Sequence, residues 1–516
     1  MNKGFMERHG RSFRIMLILL LLGLGIALRL YRFGRVPDGL NQDEAFAGYE
    51  AYSLLNYGID SGGYHGPVYL LSWGSGMNAL NSCLMMPFVH FFGLSVYTVR
   101  LPQVILGIIS LFIVYLLTKH IYGPVTGIAA LGLLAVSPWH VMLSRWGLES
   151  NLAPCFVLAA LYFFVLGIEN NRWYLLSAFL YGLSLYTYAT LWVMVPVILA
   201  AEIIYLIISR KLSFNVYSAL SVLILFVMAL PLILFVLVNL GYLDEIRTPL
   251  ISIPKVLVFR SGDVSFKHFG AKLKNLCSIF IRQSDGLPWN YVEKYGFLGY
   301  VTLFFSLSGL GFLSSDIIRE IRDSEKKFSL KMILLINFLV PLLYGTLIAA
   351  NITRINILFI PMIIFAAAGI TRFRSRYWLF GISVYYLVFT LGFAKTYFRD
   401  YNVQIRYYFG AGFDEALAEA KTHADRIYLS SDIHYPKVLF YDRIPVTDFR
   451  ESVIYKNYPA SFLLPQSFLN YSYSVDPSAP PDEDGAYIIG DDTDTRMLEE
   501  SGFSVIHIGR YKVFYK

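Results

Sequence analysis

The sequence predicts an α-helical polytopic membrane protein: about eleven transmembrane helices, juxtamembrane helices in the first outer loop, and a small C-terminal α/β soluble domain. Three observations point there. Of the 516 residues 56% are hydrophobic and only 15% charged, well below the roughly 25% charged residues of soluble domains. Mean hydropathy is +0.53, more apolar surface than a soluble fold hides. The apolar residues fall into successive segments of near-spanning length between 14 and 397.

The first run, Ile15 to Leu28, follows Lys3, Arg8, Arg11 and Arg14 and leads into Arg29-Leu30-Tyr31-Arg32. It is laid out like a signal peptide but lacks a small-x-small cleavage site, so it reads as an uncleaved anchor whose arginines snorkel to the interface. The remaining spans are 101–118, 124–143, 152–168, 173–188, 190–208, 216–240, 297–314, 332–350, 355–371 and 377–397. The apolar stretch 78–94 decides their orientation. As a crossing it would place Lys119-His120, Asn171-Arg172, Arg210-Lys211, the run Arg319 to Lys331 and Arg372/Arg374/Arg376 opposite the basic N-terminus. As an interfacial helix it leaves all five on the N-terminal side, as the positive-inside rule requires. The N-terminus is then cytoplasmic. The outer loops are 33–97, 144–150 and 241–296, and the tail 398–516 is extracytoplasmic. The loop 241–296 carries Lys255, Arg260, Lys267, Lys272, Lys274 and Arg282, a pattern for lying on anionic headgroups.

The formal charge of +7 is cytoplasmic-loop charge and implies no nucleic-acid partner. Cys83, Cys155 and Cys277 have neither metal nor redox spacing. In the tail, Phe413 to Ala424 has helical periodicity, Arg426 to Leu429, Ala486 to Ile489 and Phe503 to Ile508 read as strands, and Asp476 to Asp482 as a loop. The tail contains no catalytic motif. Membrane domain 1–397 and tail 398–516 are therefore the two expected domains.

The chemistry is expected in the outer loops. Asp43 and Glu44 open a helix over 43–56, where the dipole favours negative charge. Capping would account for one carboxylate; two beside a bilayer imply a further role. His65 precedes Gly66-Pro67, and Arg100 opens the second span, placed either to snorkel or to bind phosphate. Arg145 and Glu149 share the short second outer loop, either as an exposed pair or as a second acidic wall of a cleft. Asp285, Trp289 and Asn290 close the third outer loop, with tryptophan beside asparagine suited to a sugar. Asn351 and Arg354 lie between two later spans, with Arg354 either a phosphate ligand or a headgroup contact.

In its order of elements the chain resembles the GT-C class of membrane glycosyltransferases: one span, an outer loop with Asp43-Glu44, juxtamembrane helices, Arg100-Leu101-Pro102 with Gly107, then the loop from Ser144-Arg145 to Asn151. The resemblance is to the protein O-mannosyltransferases and lipid A aminoarabinose transferases, over roughly 14–370. It departs from the latter at Phe46-Ala47, where they carry Arg-Tyr, and at His65-Gly66, where they carry Glu-Lys; His65 is closer to the mannosyltransferases. The resemblance implies a polyprenyl-phosphate sugar as donor, an inverting transfer to a glycan, lipid or protein hydroxyl on the outer face of a plasma membrane (a bacterial one is expected), Asp43 as general base and Glu149 as the second acidic residue. Glu44 would support Asp43 or bind sugar, and Arg100 and Arg354 would meet the phosphate. No cofactor is required; a divalent metal remains compatible. The alternative is a transporter or flippase of lipid-linked sugars. Transporters place polar groups at mid-membrane, and Glu202 is the acidic residue well inside a span.

Overall fold

A computed structural model of the chain describes residues 3–71, 76–259, 264–323, 328–373, 375–460, 462–473, 482–490 and 494–516. Arg260, Arg374, part of the Arg319 to Lys331 run and nearly all of the expected Asp476 to Asp482 loop lie outside the described residues.

In chain order come α1 (Lys3–Leu30), α2 (Gln42–Tyr57), the pair β1 (Tyr69–Leu70) and β2 (Met77–Asn78), α3 (Leu80–Phe92), α4 (Val96–Tyr122), α5 (Pro124–Val136), α6 (Pro138–Leu143), α7 (Ala153–Glu169), α8 (Trp173–Ser184), α9 (Leu191–Ile208) and α10 (Val216–Asn239). There follow the pair β3 (Ile246–Arg247) and β4 (Ser252–Ile253), then α11 (Phe269–Arg282), α12 (Tyr300–Asp323), α13 (Leu330–Gly345), α14 (Phe359–Arg372) and α15 (Arg376–Lys395). The tail contributes α16 (Asn402–Phe409), α17 (Phe413–His423), β5 (Arg426–Leu429), α18 (Tyr435–Asp442), α19 (Val446–Ser452), β6 (Ile454–Tyr455), β7 (Pro465–Phe468), β8 (Tyr471–Ser472), β9 (Gly485–Ile489), α20 (Arg496–Glu500), β10 (Ser504–Ile508) and β11 (Tyr511–Tyr515). The chain divides into two compact units: 1–33, 102–230 and 261–399 form the first, and 34–101, 231–260 and 400–516 the second.

The chain is a polytopic membrane protein. Among the described residues seven helical stretches are long and apolar enough to cross a bilayer, including α4, α9 and α10; α3, α5, α13 and Asn356–Arg372 are shorter apolar helices. Several expected spans stop early for local reasons. The 124–143 segment breaks at Ser137 (ψ 122°) because Pro138 disfavours helical geometry in the residue before it. Helix α8 ends at Ser184 and α13 at Gly345. With 13 residues α3 spans about 20 Å, short of a ~30 Å hydrocarbon core. It buries Asn81, Ser82, Met85 and Val89 and exposes Phe91 and Phe92, as an interfacial helix does.

In the first unit, glycine lets helices approach closely. A Cβ on Gly309 of α12 would lie 1.9 Å from the Phe365 carbonyl oxygen of α14, and one on Gly369 would lie 2.6 Å from that of Phe305. Helices α7 and α8 are tied by Ser177 Oγ donating to the Ala160 carbonyl at 2.9 Å. Helix α11 carries Lys272, Lys274 and Arg282 and buries Leu276 and Ile279; Cys277, expected in a loop, lies on it.

The second unit is built on a seven-stranded sheet in the order β10-β11-β9-β5-β8-β7-β6, with β5 parallel to β8 and β9. The expected tail helix and three strands are α17, β5, β9 and β10. Helix α2 runs through this unit's core. Tyr49 joins a cluster with Phe413, Leu439 and Phe449 and donates its hydroxyl to the Ile444 carbonyl at 2.8 Å. Phe46 and Ala47 pack with Val99 and Phe440. Gly48 leaves room where a Cβ would meet Val99 at 2.6 Å and Phe440 at 2.8 Å. Residues Glu44 to Ala51 are all buried, so α2 is enclosed around most of its circumference and not on one side only.

Candidate active site

The start of α2 separates its two adjacent carboxylates. Asn41 caps the helix: its side chain accepts from the Asp43 amide at 2.9 Å, and Glu44 Oε2 accepts from the Asn41 amide at 3.1 Å. This is a capping box. The same carboxylate receives Arg100 Nε at 2.8 Å and a second guanidinium nitrogen at 2.9 Å. Arg100 also donates to the carbonyls of Pro37 and Gly39, each at 2.8 Å. Both side chains are 0% exposed. A bidentate pair of this kind has definite geometry and strong, charge-assisted bonds. Arg100, expected as a phosphate ligand, instead pins the 34–39 loop to α2. Glu44 is committed to the same bracket.

Asp43 differs from its neighbour. Its side chain is part-buried, and among the described residues its carboxylate has no hydrogen-bond partner. Burial first, and the Glu44 charge second, push its pKa up to about 6. A carboxylate poised there takes a proton near neutral pH better than an ordinary aspartate. His65 lies at the opposite end of α2, about 24 Å away along the 16-residue helix. Its Nδ1 is 2.9 Å from the carbonyl oxygen of Gly58, the left-handed C-cap. That placement removes it from the neighbourhood of Asp43.

In the first unit Arg145 is also structural. It donates to the carbonyls of Leu28 (3.0 Å), Arg29 (2.6 Å), Tyr31 (2.8 Å) and Arg32 (3.2 Å), capping the C-terminus of α1 with positive charge. Its guanidinium also lies 4.9 Å from the Phe398 ring centroid. Of the two sequence readings, an exposed pair or a wall of a cleft, its complete burial excludes the first. Glu149 opens a short 3₁₀ turn, Glu149–Leu152, and is 9% exposed. Tyr188, between α8 and α9, gathers a polar group about itself. Burial pushes its phenol up, the Arg354 charge opposes that shift, and the charge of Glu149 adds to it. Nothing in the sequence distinguishes Tyr188 from the other 37 tyrosines.

Asp285 and Asn351 hold the surrounding loops in shape. Asp285 Oδ2 accepts from Asn290 Nδ2 at 2.7 Å and the Ile352 amide at 2.8 Å. Asn351 Oδ1 accepts from the Arg354 amide at 2.8 Å. Trp289 and Asn290 line a cleft of about 240 Å³ with Trp146, Asn151, Thr353 and Asn356. Asn356 Nδ2 donates to the Ser150 carbonyl at 2.6 Å, fixing the turn that carries Glu149. Trp146 and Asn151 lie within the loop motif Ser144 to Asn151, whereas Asn356 carries no sequence signal. Among the described residues no three His, Cys, Asp or Glu side chains are gathered to hold a metal.

Against known proteins, the family model described as dolichyl-phosphate-mannose-protein mannosyltransferase matches residues 82–235. The fold is similar over almost the whole chain to ArnT from Cupriavidus metallidurans bound to undecaprenyl phosphate, with TM-score 0.57, 13% identity and 98% of each chain covered. The apo state of that protein gives 0.55 at the same identity and coverage. The likeness to ArnT is one of fold. A lesser likeness, TM-score 0.47 at 13% identity over 80% of this chain and 58% of the other, is to the oligosaccharyltransferase AglB from Archaeoglobus fulgidus in complex with an inhibitory peptide and a dolichol-phosphate. No curated protein matches the chain by sequence.

Proposed function

We propose that this protein is a membrane glycosyltransferase that moves a sugar from a polyprenyl-phosphate donor to an acceptor hydroxyl on the extracytoplasmic face, with Asp43 as general base. The observation that carries the reading is the unequal fate of two neighbouring carboxylates: Glu44 is fully bonded, whereas Asp43 is unpartnered and raised toward neutrality. The ArnT-like fold and the undecaprenyl phosphate bound to that protein support the donor class.

In the proposed reaction the acceptor hydroxyl gives its proton to Asp43 as its oxygen bonds to the anomeric carbon. The bond from that carbon to the phosphate oxygen breaks, its electrons stay on the phosphate, and the lipid phosphate leaves with inversion at the sugar. General-base assistance of this kind is worth ~10²–10⁴ in rate. Arg354 is assigned to phosphate charge and Glu149 to acceptor or sugar hydroxyls. Arg354 suits a phosphate because a guanidinium offers several donors to a doubly charged group.

Purified protein in lipid nanodiscs, given radiolabelled polyprenyl-phosphate sugars and a membrane extract as acceptor, should transfer label. Asp43→Asn should abolish transfer while insertion and abundance stay constant. Wild-type turnover in that variant would remove Asp43 from the chemistry. Movement of intact donor across a vesicle, without transfer, would favour a transporter. Buried Glu202, which accepts from Asn337 Nδ2 at 2.7 Å, would then be the residue to examine.

A further inference from the structure

The second unit contains an open cleft of about 540 Å³ that the proposed chemistry does not use. Its walls include Ser61, Tyr64, Glu245, Tyr435, Tyr455 and Tyr458. Aromatic rings and carboxylates are held there in fixed positions. Tyr64 donates its hydroxyl to Glu245 Oε2 at 2.7 Å, and the Arg247 guanidinium lies 4.2 Å from the Tyr64 ring centroid. Ser61 donates both its amide (2.9 Å) and its hydroxyl to the buried carboxylate of Glu50. Beside it Asp60 is 1% exposed, and its Oδ2 has no hydrogen-bond partner among the described residues. At the rim Tyr458 is 65% exposed.

Flat amphipathic rings interleaved with hydrogen-bonding groups suit a ligand with apolar faces and a polar edge. A pyranose has both: its C–H face stacks on a ring while its hydroxyls bond to Glu245 and Ser61. An extended peptide would instead seek a free strand edge. The edge strand here, β6, is two residues long and cannot template one.

The cleft is also registered to Asp43 through α2. Glu50, which holds Ser61, lies seven residues beyond Asp43, two turns along the same helical face and about 10 Å away along the axis. We propose that this tyrosine-lined cleft binds a saccharide portion of the acceptor, set back from the hydroxyl that reacts, so that the acceptor of this enzyme is a glycan. This rests on the transferase reading for its role in turnover, but not for the binding itself.

The test is calorimetric titration of the whole protein in nanodiscs with neutral gluco-, manno-, galacto- and chito-configured tetra- to hexasaccharides, alongside a Ser/Thr-rich peptide. At least one saccharide should bind. Tyr455→Ala and Tyr458→Ala should each weaken binding tenfold or more without lowering the melting temperature, and Asp43→Asn should bind as wild type. If a donor assay is then run with the bound saccharide as acceptor, the tyrosine variants should raise the acceptor KM and leave kcat and the donor KM unchanged. Failure of every saccharide to bind, binding indifferent to both tyrosines, or binding of the peptide instead would each overturn the proposal. Saccharide binding lost in the tyrosine variants, with no transfer by wild type, would uphold the cleft and remove the transferase reading.

Discussion

The start of α2 and the turn that opens at Glu149 each have an arginine and an acid close by, yet the two regions use them in opposite ways. At α2 the arginine is taken up by the acid: Arg100 and Glu44 form a buried bidentate pair. At the second turn Arg145 bonds instead to four carbonyls at the end of α1. The groups assigned to the proposed reaction differ accordingly. In one region it is Asp43; in the other, Glu149 and Arg354, whose charges both act on Tyr188. Proximity in sequence to a charged partner therefore says little about function, because a charge fully satisfied by the fold has no bonds left to offer substrate.

The strongest break of that comparison is Asp43→Asn, with transfer falling about 10²–10⁴-fold. The same substitution should raise the melting temperature at neutral pH. The folded pKa near 6 lies above the ordinary 3.8, so the native state binds the proton more tightly than the unfolded chain. Stability is then greatest at low pH and falls as pH rises through 6. At about 1.4 kcal/mol per unit, relief of the ionised group contributes at most about 3 kcal/mol. Lower activity with higher thermal stability is a signature that a merely structural aspartate would not give.

Arg100→Leu should act through the fold. It strands Glu44 in a closed interior, at about 3–5 kcal/mol, read as loss of folded protein in detergent melts. Glu44→Gln with Arg100→Leu should cost less than the sum of the single changes. A stable, inactive Arg100→Leu would return Arg100 to the site. In the other region Arg354→Ala should weaken donor binding by about 10–100-fold, the worth of bonds to a charged group, seen in the donor KM. Glu149→Gln should lower turnover by about tenfold. Smallest is the pH profile: kcat/KM should fall by about tenfold per unit below pH 6 as Asp43 is protonated, and a flat acid limb would place the base elsewhere.

Segmentation into apolar helices, the interfacial α3 and the main tail elements were legible in the sequence because they follow from local periodicity, length and turn residues. The breaks at Ser137 and Ser184 were less so, since a run of apolar residues does not say where a helix ends. Asp43-Glu44 stood out as a pair, but a pair cannot say which member is spent. That depended on Arg100, 56 residues away, whose guanidinium reaches one carboxylate and not the other.

By itself the sequence determined that this chain lives in a bilayer, with acidic and basic residues in the loops between its spans, because hydrophobic length and charge placement are additive along a chain. Only tertiary structure decided which of those charges are neutralised, since pairing and burial depend on residues brought together from distant segments. Glu44, Arg100 and Arg145 are held inside, and Asp43 is left with a carboxylate that no described residue satisfies.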